Sequence, residues 1–518
     1  MKPQVSYQLS RRNFLRYGTC GAMGIGSLVN TLSQLTLVNS AVASTVGGSD
    51  VVGSDYKALV CLFLRGGCDM NNVLIPVAGN PQAAGYTQDR GAVAIPNGIV
   101  HPTFNPSGAN TTLPINGTSE PFGLHPSLSR LQGIYNSGEA TIVTNVGTLA
   151  EPTTPATYGS VGLPTQLFSH SDQVTEWMSS IADQPYTSGW GARVAELYND
   201  TWNPSGVTSM LVTAAGNNQF QNGSPANPQY SVTSTGAVSL AGFGGNYSSA
   251  LNNDGSYNLN RAEGRRLRAL ERIMAYSHGT LIEDSYAAVV RRARDAEGII
   301  SEALQEVANL NLDFETTFDN FGADTSLGNE FRAIAQLIAG RKCLGNKRQI
   351  FFVDLGGFDN HQGINDDLGG LLTQVDNALG AFNQAMKDIA AADPDFSYED
   401  VTTFQASDFN RTWTPNGTNP ASAGTDHAWG THAIVMGGAV NGGQLHGEFP
   451  ELVVQGANDV PRGTRGRWIP TTSVDQYCAV LANWFGVPEG SSEMQTIFPN
   501  LSRFDSPFVN GSNLSFLQ

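Results

Sequence analysis

Three apolar runs, each ending in a short glycine-bearing loop rich in Asp, His and Asn, constrain this chain more than any other feature. Tyr56-Lys57-Ala58-Leu59-Val60-Cys61-Leu62-Phe63-Leu64 runs into Arg65-Gly66-Gly67-Cys68-Asp69-Met70-Asn71-Asn72. Arg348-Gln349-Ile350-Phe351-Phe352-Val353-Asp354-Leu355 runs into Gly356-Gly357-Phe358-Asp359-Asn360-His361. Val401-Thr402-Thr403-Phe404-Gln405-Ala406 opens a segment from Ser407 to His432 that holds Asp426-His427. Short, continuously apolar runs read as buried strands. A helix predicted over 368–391 follows the second run, and helices near 126–137, 331–344 and 473–485 surround the others. Strands alternating with helices specify an α/β fold with a mainly parallel sheet. Ligand sites in such sheets form where strands end at their carboxyl edge. The three loops are therefore expected to meet at one place.

The N-terminus carries a separate message. Ser10-Arg11-Arg12-Asn13-Phe14-Leu15 precedes a mildly apolar stretch near 17–38, and Ala41-Val42-Ala43 supplies small residues for cleavage. The stretch holds Gly, Ser, Thr, Asn and Gln, too polar for a stable membrane helix. The layout resembles a bacterial twin-arginine export signal. It implies a signal over 1–43, a linker over 44–55, the twin-arginine machinery as a partner, and a periplasmic or extracellular destination. The mature form is expected to have no integral membrane span.

Charge narrows the partners further. Beyond residue 43 the chain has 24 Lys and Arg against 45 Asp and Glu, a net charge of −21. Such a surface repels nucleic acid, so no nucleic-acid partner is expected. Four cysteines remain there (Cys61, Cys68, Cys343 and Cys478), with no CxxC pair, which excludes a thiolate zinc site or a redox dithiol. One disulfide fits an oxidising compartment, with its pairing open. Residues 78–122, rich in Gly, Pro and Asn, read as a surface excursion. Residues 203–330 read as a second insertion, polar at first and then an arginine-rich helix.

Carboxylates and imidazoles on the converging loops are what a divalent metal needs. Asp69, Asp359, His361, Asp426, His427 and His432 form the candidate ligand set. Each has a plainer reading as a turn-former or a buried structural residue.

The quoted loops, with Leu167-Phe168-Ser169-His170-Ser171-Asp172-Gln173, Ser407-Asp408-Phe409-Asn410-Arg411-Thr412, Thr425-Asp426-His427-Ala428-Trp429-Gly430 and Asp475-Gln476-Tyr477, resemble a bacterial family known only as a domain of unknown function, number fifteen-oh-one. The family is grouped with the alkaline phosphatase and sulfatase superfamily. That resemblance implies one αβα sandwich over 56–518, with irregular insertions near 78–122 and 203–330. It implies metal-assisted hydrolysis of an anionic phosphate or sulfate ester, with Zn, Mn, Fe or Ca as the ion. In that scheme Asp69, Asp426 and His427 hold one metal, and Asp359, His361 and His432 a second, with His446 competing for the last place. Where the family commonly has Glu-Phe-Gly-Arg, this chain has Asp408-Phe409-Asn410-Arg411. Arg65 or Arg411 would hold the anion by paired hydrogen bonds. Ser169, ahead of a predicted helix, is the candidate nucleophile, and equally a simple helix cap. Cys68 lacks the Cys-x-Pro-x-Arg context of sulfatases. The alternative is a catalytically degenerate binding or assembly protein on the same fold.

Overall fold

The computed structural model describes residues 55–518 except 96–111, 207, 225–226, 234–235, 238–241, 245–246, 276–299, 301–302 and 510. The export segment over 1–43, the linker and the middle of the arginine-rich stretch lie outside the described residues.

All three apolar runs become strands of one sheet: Lys57–Leu64, Arg348–Leu355 and Val401–Ser407. Lys57–Leu64 lies between the other two and is parallel to both. From edge to edge the order is Leu445–His446, Ala140–Gly147, Thr431–Gly437, Val401–Ser407, Lys57–Leu64, Arg348–Leu355, Leu211–Thr213, Tyr230–Thr233 and Gly236–Ala237, with Thr472–Ser473 also paired to Ala140–Gly147. Thr431–Gly437 runs against both its neighbours. Ala140–Gly147 therefore points the same way as the central three strands. Four carboxyl ends share one edge of the sheet, and the reversed strand begins there.

Alternation along the middle strand explains why both faces are covered. Ala58, Val60, Leu62 and Leu64 join a core with the helices Ser326–Ala339 and Ile364–Ala392. Leu59, Cys61 and Phe63 join a second core with Trp190–Trp202 and Val474–Phe485. Successive strand side chains point to opposite faces, so a continuously apolar strand demands a layer on each side. Ile364–Ala392 places Asp366 and Asp367 in its first turn, where the helix end favours negative charge. Val474–Phe485 starts in a capping box, with the Ser473 and Gln476 side chains each bonded to the other's backbone.

The 78–122 segment is mostly exposed or half-buried where it is described, but it is anchored to the body. It contains the helix Ala83–Arg90, and Tyr86 and Arg90 are buried. Strands Leu74–Pro76, Leu113–Pro114 and Phe122–Leu124 form a small second sheet. Arg90 is drawn inside because it neutralises Asp69 and donates to the carbonyls of Thr412 and Trp413 at 3.0 Å each. Within 203–330, Leu211–Thr213, Tyr230–Thr233 and Gly236–Ala237 extend the main sheet, and the helix Ala262–Met274 carries Arg265, Arg266, Arg268 and Arg272. Cys61, Cys68 and Cys478 are buried thiols outside any disulfide. No described helix is long and apolar enough to cross a membrane.

Candidate metal centre

The loops that leave the central strands are stitched together. The Arg65 amide donates to the Leu355 carbonyl at 2.9 Å, and the Phe358 amide returns to the Arg65 carbonyl at 3.2 Å. The Thr425 amide donates to the Asn360 carbonyl at 3.0 Å. Gly66 and Gly67 make the crossing feasible. Both have positive φ, 109° and 76°, and an added Cβ would lie 2.5 Å from the Asp359 amide or from the Phe409 ring. Only glycine tolerates both demands.

Four side chains converge here. Asp359 Oδ1 lies 3.1 Å from His361 Nε2, 3.4 Å from His170 Nε2 and 3.5 Å from His427 Nε2. His361 Nε2 and His427 Nε2 are 2.9 Å apart. His170, Asp359 and His427 form a group whose ligand atoms all lie within 4.8 Å of one another. His361 closes the cluster through its contacts with Asp359 and His427.

Each imidazole is held by its other nitrogen. His170 Nδ1 bonds Asp408 Oδ2 at 2.7 Å, His361 Nδ1 bonds Asp426 Oδ1 at 3.1 Å, and His427 Nδ1 bonds the Phe168 carbonyl at 2.7 Å. A carbonyl or carboxylate oxygen accepts, so each Nδ1 carries the proton. Each Nε2 then presents a lone pair. The three Nε2 atoms each lie 3.1–3.5 Å from Asp359 Oδ1, and His170 Nε2 is buried without a hydrogen-bond partner. Fixing a ring through one nitrogen while the other faces a metal is the usual support for a histidine ligand. Donors about 2.0–2.2 Å from a tetrahedral ion are roughly 3.3–3.6 Å apart. The separations of His170 and His427 from Asp359, 3.4 and 3.5 Å, match this, while His361 lies closer, at 2.9 Å from His427 and 3.1 Å from Asp359. The residues fit a divalent ion.

The supports are themselves anchored. Asp408 is buried, and its Oδ1 accepts the Gly66 amide at 3.1 Å. Asp426 pairs with Arg465 and accepts from Asn416 at 3.3 Å. Phe168 adopts a left-handed φ of 77°, rare for a side chain of its size, and this turn directs its carbonyl at His427. The Phe409 ring lies 4.7 Å from both the His170 and the His427 rings and floors the site.

Electrostatics divide the imidazoles. The Asp408 hydrogen bond raises the proton affinity of His170 above the ordinary value, against burial. Burial lowers that of His427, aided by the charges of His170, Arg411 and His361. Burial would raise the Asp359 carboxyl, but Arg411 and the flanking histidines outweigh it and hold the group below the usual carboxylate range.

Of the residues named from sequence, Asp359, His361 and His427 meet in the cluster. Asp426 stands behind His361 as its anchor. Asp69 is buried and ion-paired with Arg90, outside the cluster. His432 is buried under Phe449, with Nδ1 accepting the Asn145 amide at 3.1 Å. His446 Nε2 is bonded to the Asn441 carbonyl at 3.0 Å. Both rings belong to the strand edge far from a ligand role, because the reversed strand turns His432 inward. Arg411 is wholly buried, and its Nη1 lies 2.7 Å from Asp359 Oδ1, so it orients that carboxylate. Arg65 pairs with Asp354 and lines the adjoining cavity. Ser169 is the N-cap residue of the helix His170–Ser179, but its hydroxyl donates to Asp172 Oδ2 at 2.6 Å instead of capping. Sequence reasoning missed His170 and Asp408 as members of the site. The available signal was the Ser-His-Ser-Asp run at a helix start and an acidic residue directly after a central strand.

A cavity of about 560 Å³ opens beside the cluster, reaching His170, Asp359 and Asp408. It leaves one side of the convergence point approachable, as a catalytic metal requires and a closed structural one does not.

A comparison with curated proteins returns no match. The model of a family described as proteins of unknown function, DUF1501, matches residues 56–461, a span that contains every cluster residue and its anchor. The chain belongs to that family.

Proposed function

We propose that this chain is an exported hydrolase of phosphate or sulfate esters that works with a divalent ion held by His170, Asp359, His361 and His427. The observation that carries the reading is the set of three Nε2 atoms gathered about one carboxylate oxygen beside a cavity. Three imidazoles with one carboxylate suit Zn, Mn or Fe, whereas Ca takes an all-oxygen shell. Such an ion polarises an ester oxygen and offsets charge on the attacking and leaving oxygens. Arg65 borders the cavity, where a guanidinium suits an anionic group. The mainly parallel sheet with helices on both faces and ligands on strand-end loops supports kinship with the alkaline phosphatase and sulfatase superfamily. The Arg11-Arg12 layout supports twin-arginine export to the periplasm or beyond.

The test is turnover of p-nitrophenyl phosphate and p-nitrophenyl sulfate by metal-loaded and by chelated protein. Turnover that appears with metal and vanishes with the chelator and in His427→Ala supports the reading. Equal turnover after chelation, or none from fully loaded protein, overturns it.

One observation favours a second reading, a metal-dependent binding or assembly protein. The Ser169 hydroxyl is committed to Asp172, which leaves the expected attacking group turned aside. Metal bound at full occupancy without ester turnover selects this alternative.

A further inference from the structure

The cavity continues past the histidines onto a wall that the metal reading does not use. Ser171, Val174, Thr175 and Met178 line it from the helix His170–Ser179, at the three- and four-residue spacing that places side chains on one helix face. Asn217 and Gln219 line it from the loop after the strand Leu211–Thr213, beside the buried Asn218. The two parts are joined, since the Thr175 hydroxyl donates to Gln219 Oε1 at 3.1 Å. The loop is held from behind. Asn218 Nδ2 donates to Gln221 Oε1 at 3.1 Å and to Gln229 Oε1 at 3.2 Å, and the Tyr186 hydroxyl donates to the Gln219 carbonyl at 2.8 Å. This is a preformed surface, and a bound group need not order it.

Its chemistry is uneven. All the charged lining groups, Arg65, Asp359, Asp408 and the titratable His170, gather at the metal end. The far wall offers carboxamides and hydroxyls beside the half-buried Val174, with Met178 buried beneath them. Carboxamides and hydroxyls both donate and accept, which matches a partner whose own polar groups do both. Val174 among those polar groups gives a small apolar contact for the C–H face of a ring that carries hydroxyls. The lining has no Phe, Tyr or Trp, so it lacks the stacking platform that a nucleobase uses. None of its residues lies in a strand, so it lacks the edge to which an extended peptide pairs. Two apolar side chains are too few to bury an acyl chain.

Resting on the ester hydrolase reading, we infer that the substrate's alcohol portion is a carbohydrate. The esterified oxygen lies at the metal end, and a neutral sugar ring lies on the wall of Val174, Thr175, Asn217 and Gln219. The volume of about 560 Å³ suits a mono- or disaccharide.

Calorimetric titration of the metal-loaded full chain with a panel of unesterified hexose mono- and disaccharides reads this wall without requiring turnover. Saturable binding of at least one sugar is expected, weakened roughly tenfold in Asn217→Ala and in Gln219→Ala, as for the loss of a net hydrogen bond or two. In a second arm, hexose sulfates and phosphates are compared with p-nitrophenyl sulfate and phosphate. Asn217→Ala should raise KM for the sugar ester several-fold and leave KM for the p-nitrophenyl ester unchanged. Sugar binding without turnover of any ester would uphold the wall and remove the hydrolase reading. Turnover of p-nitrophenyl esters with no sugar bound from the panel would overturn the inference and leave the hydrolase reading standing. Absence of both would end both.

Discussion

His361 Nε2 and His427 Nε2 face each other at 2.9 Å, while the Nδ1 of each ring is bonded to an oxygen of Asp426 or Phe168. Two neutral rings held this way point lone pair at lone pair. A cation between them, proton or metal, turns that repulsion into attraction. Metal occupancy is therefore expected to fall as the pH drops from neutral toward 5. His170 should protonate before His427, because Asp408 raises the proton affinity of the one and burial lowers that of the other. Metal release followed at a series of pH values checks this, and occupancy that stays flat down to pH 5 contradicts it.

Asp408→Asn should keep the fold, since the new amide oxygen still accepts the Gly66 amide. It removes the carboxylate behind His170. Loss of such a support lowers metal affinity by about 10–100-fold. Competition with a metal-sensitive dye measures it, and an unchanged affinity would show that Asp408 supports nothing.

Asp69 should matter for stability and not as a ligand. Asp69 and Arg90 are both fully buried and paired. Removing one partner of a buried pair costs on the order of 3–5 kcal/mol. Arg90→Ala and Asp69→Ala should each lower the urea midpoint sharply, while protein that stays folded retains its metal. A folded Asp69→Ala protein that has lost its metal would return Asp69 to the ligand set.

His432 should make the fold acid-sensitive. Burial holds its pKa at about 3, below the ordinary value of about 6.5 that an unfolded chain shows. Stability from this group is fully present above about 6.5 and declines as the pH falls toward 3, by about 1.4 kcal/mol per pH unit. Urea unfolding at pH 7, 6 and 5 should show that decline, and His432→Gln, which retains an acceptor for the Asn145 amide, should make it shallower by this one group's share, since the buried His125, also held at about 3, adds a like share. Glu176 acts in the opposite sense. Burial raises it to about 9, so its neutral form is lost from the unfolded chain first, and stability falls as the pH rises from about 4.5 to 9. Glu176→Gln should gain relative stability at pH 8, and an equal change at pH 5 would contradict the assignment.

The central strands were legible because Lys57–Leu64 and the middle of Arg348–Leu355 are continuous apolar runs, which leave a chain few options other than a buried sheet, and Val401–Ser407 is rich in β-branched and aromatic residues. Arg348–Leu355 begins and ends where the pattern changes. The reversed strand Thr431–Gly437 was hidden, because His432 near its start drew attention as a ligand while the ring serves the core. Arg90 was hidden in a stretch rich in Gly, Pro and Asn, where composition argues for surface and one buried cation overrides it. Three of the four clustered side chains, Asp359, His361 and His427, followed from the loops that leave the central strands. His170 did not, since it enters from the start of a helix on one face, and nothing local to it shows that Asp408, 238 residues away, will fix its ring.

The most direct measurement is the metal content of folded protein recovered through its native export route, beside His427→Ala prepared the same way. We predict close to one Zn, Mn or Fe per wild-type chain. In the folded variant that content should drop at least tenfold, with circular dichroism unchanged. Wild-type protein that takes up no such ion even when it is supplied in excess, or a variant that keeps its full complement, would contradict the metal centre and the function built on it.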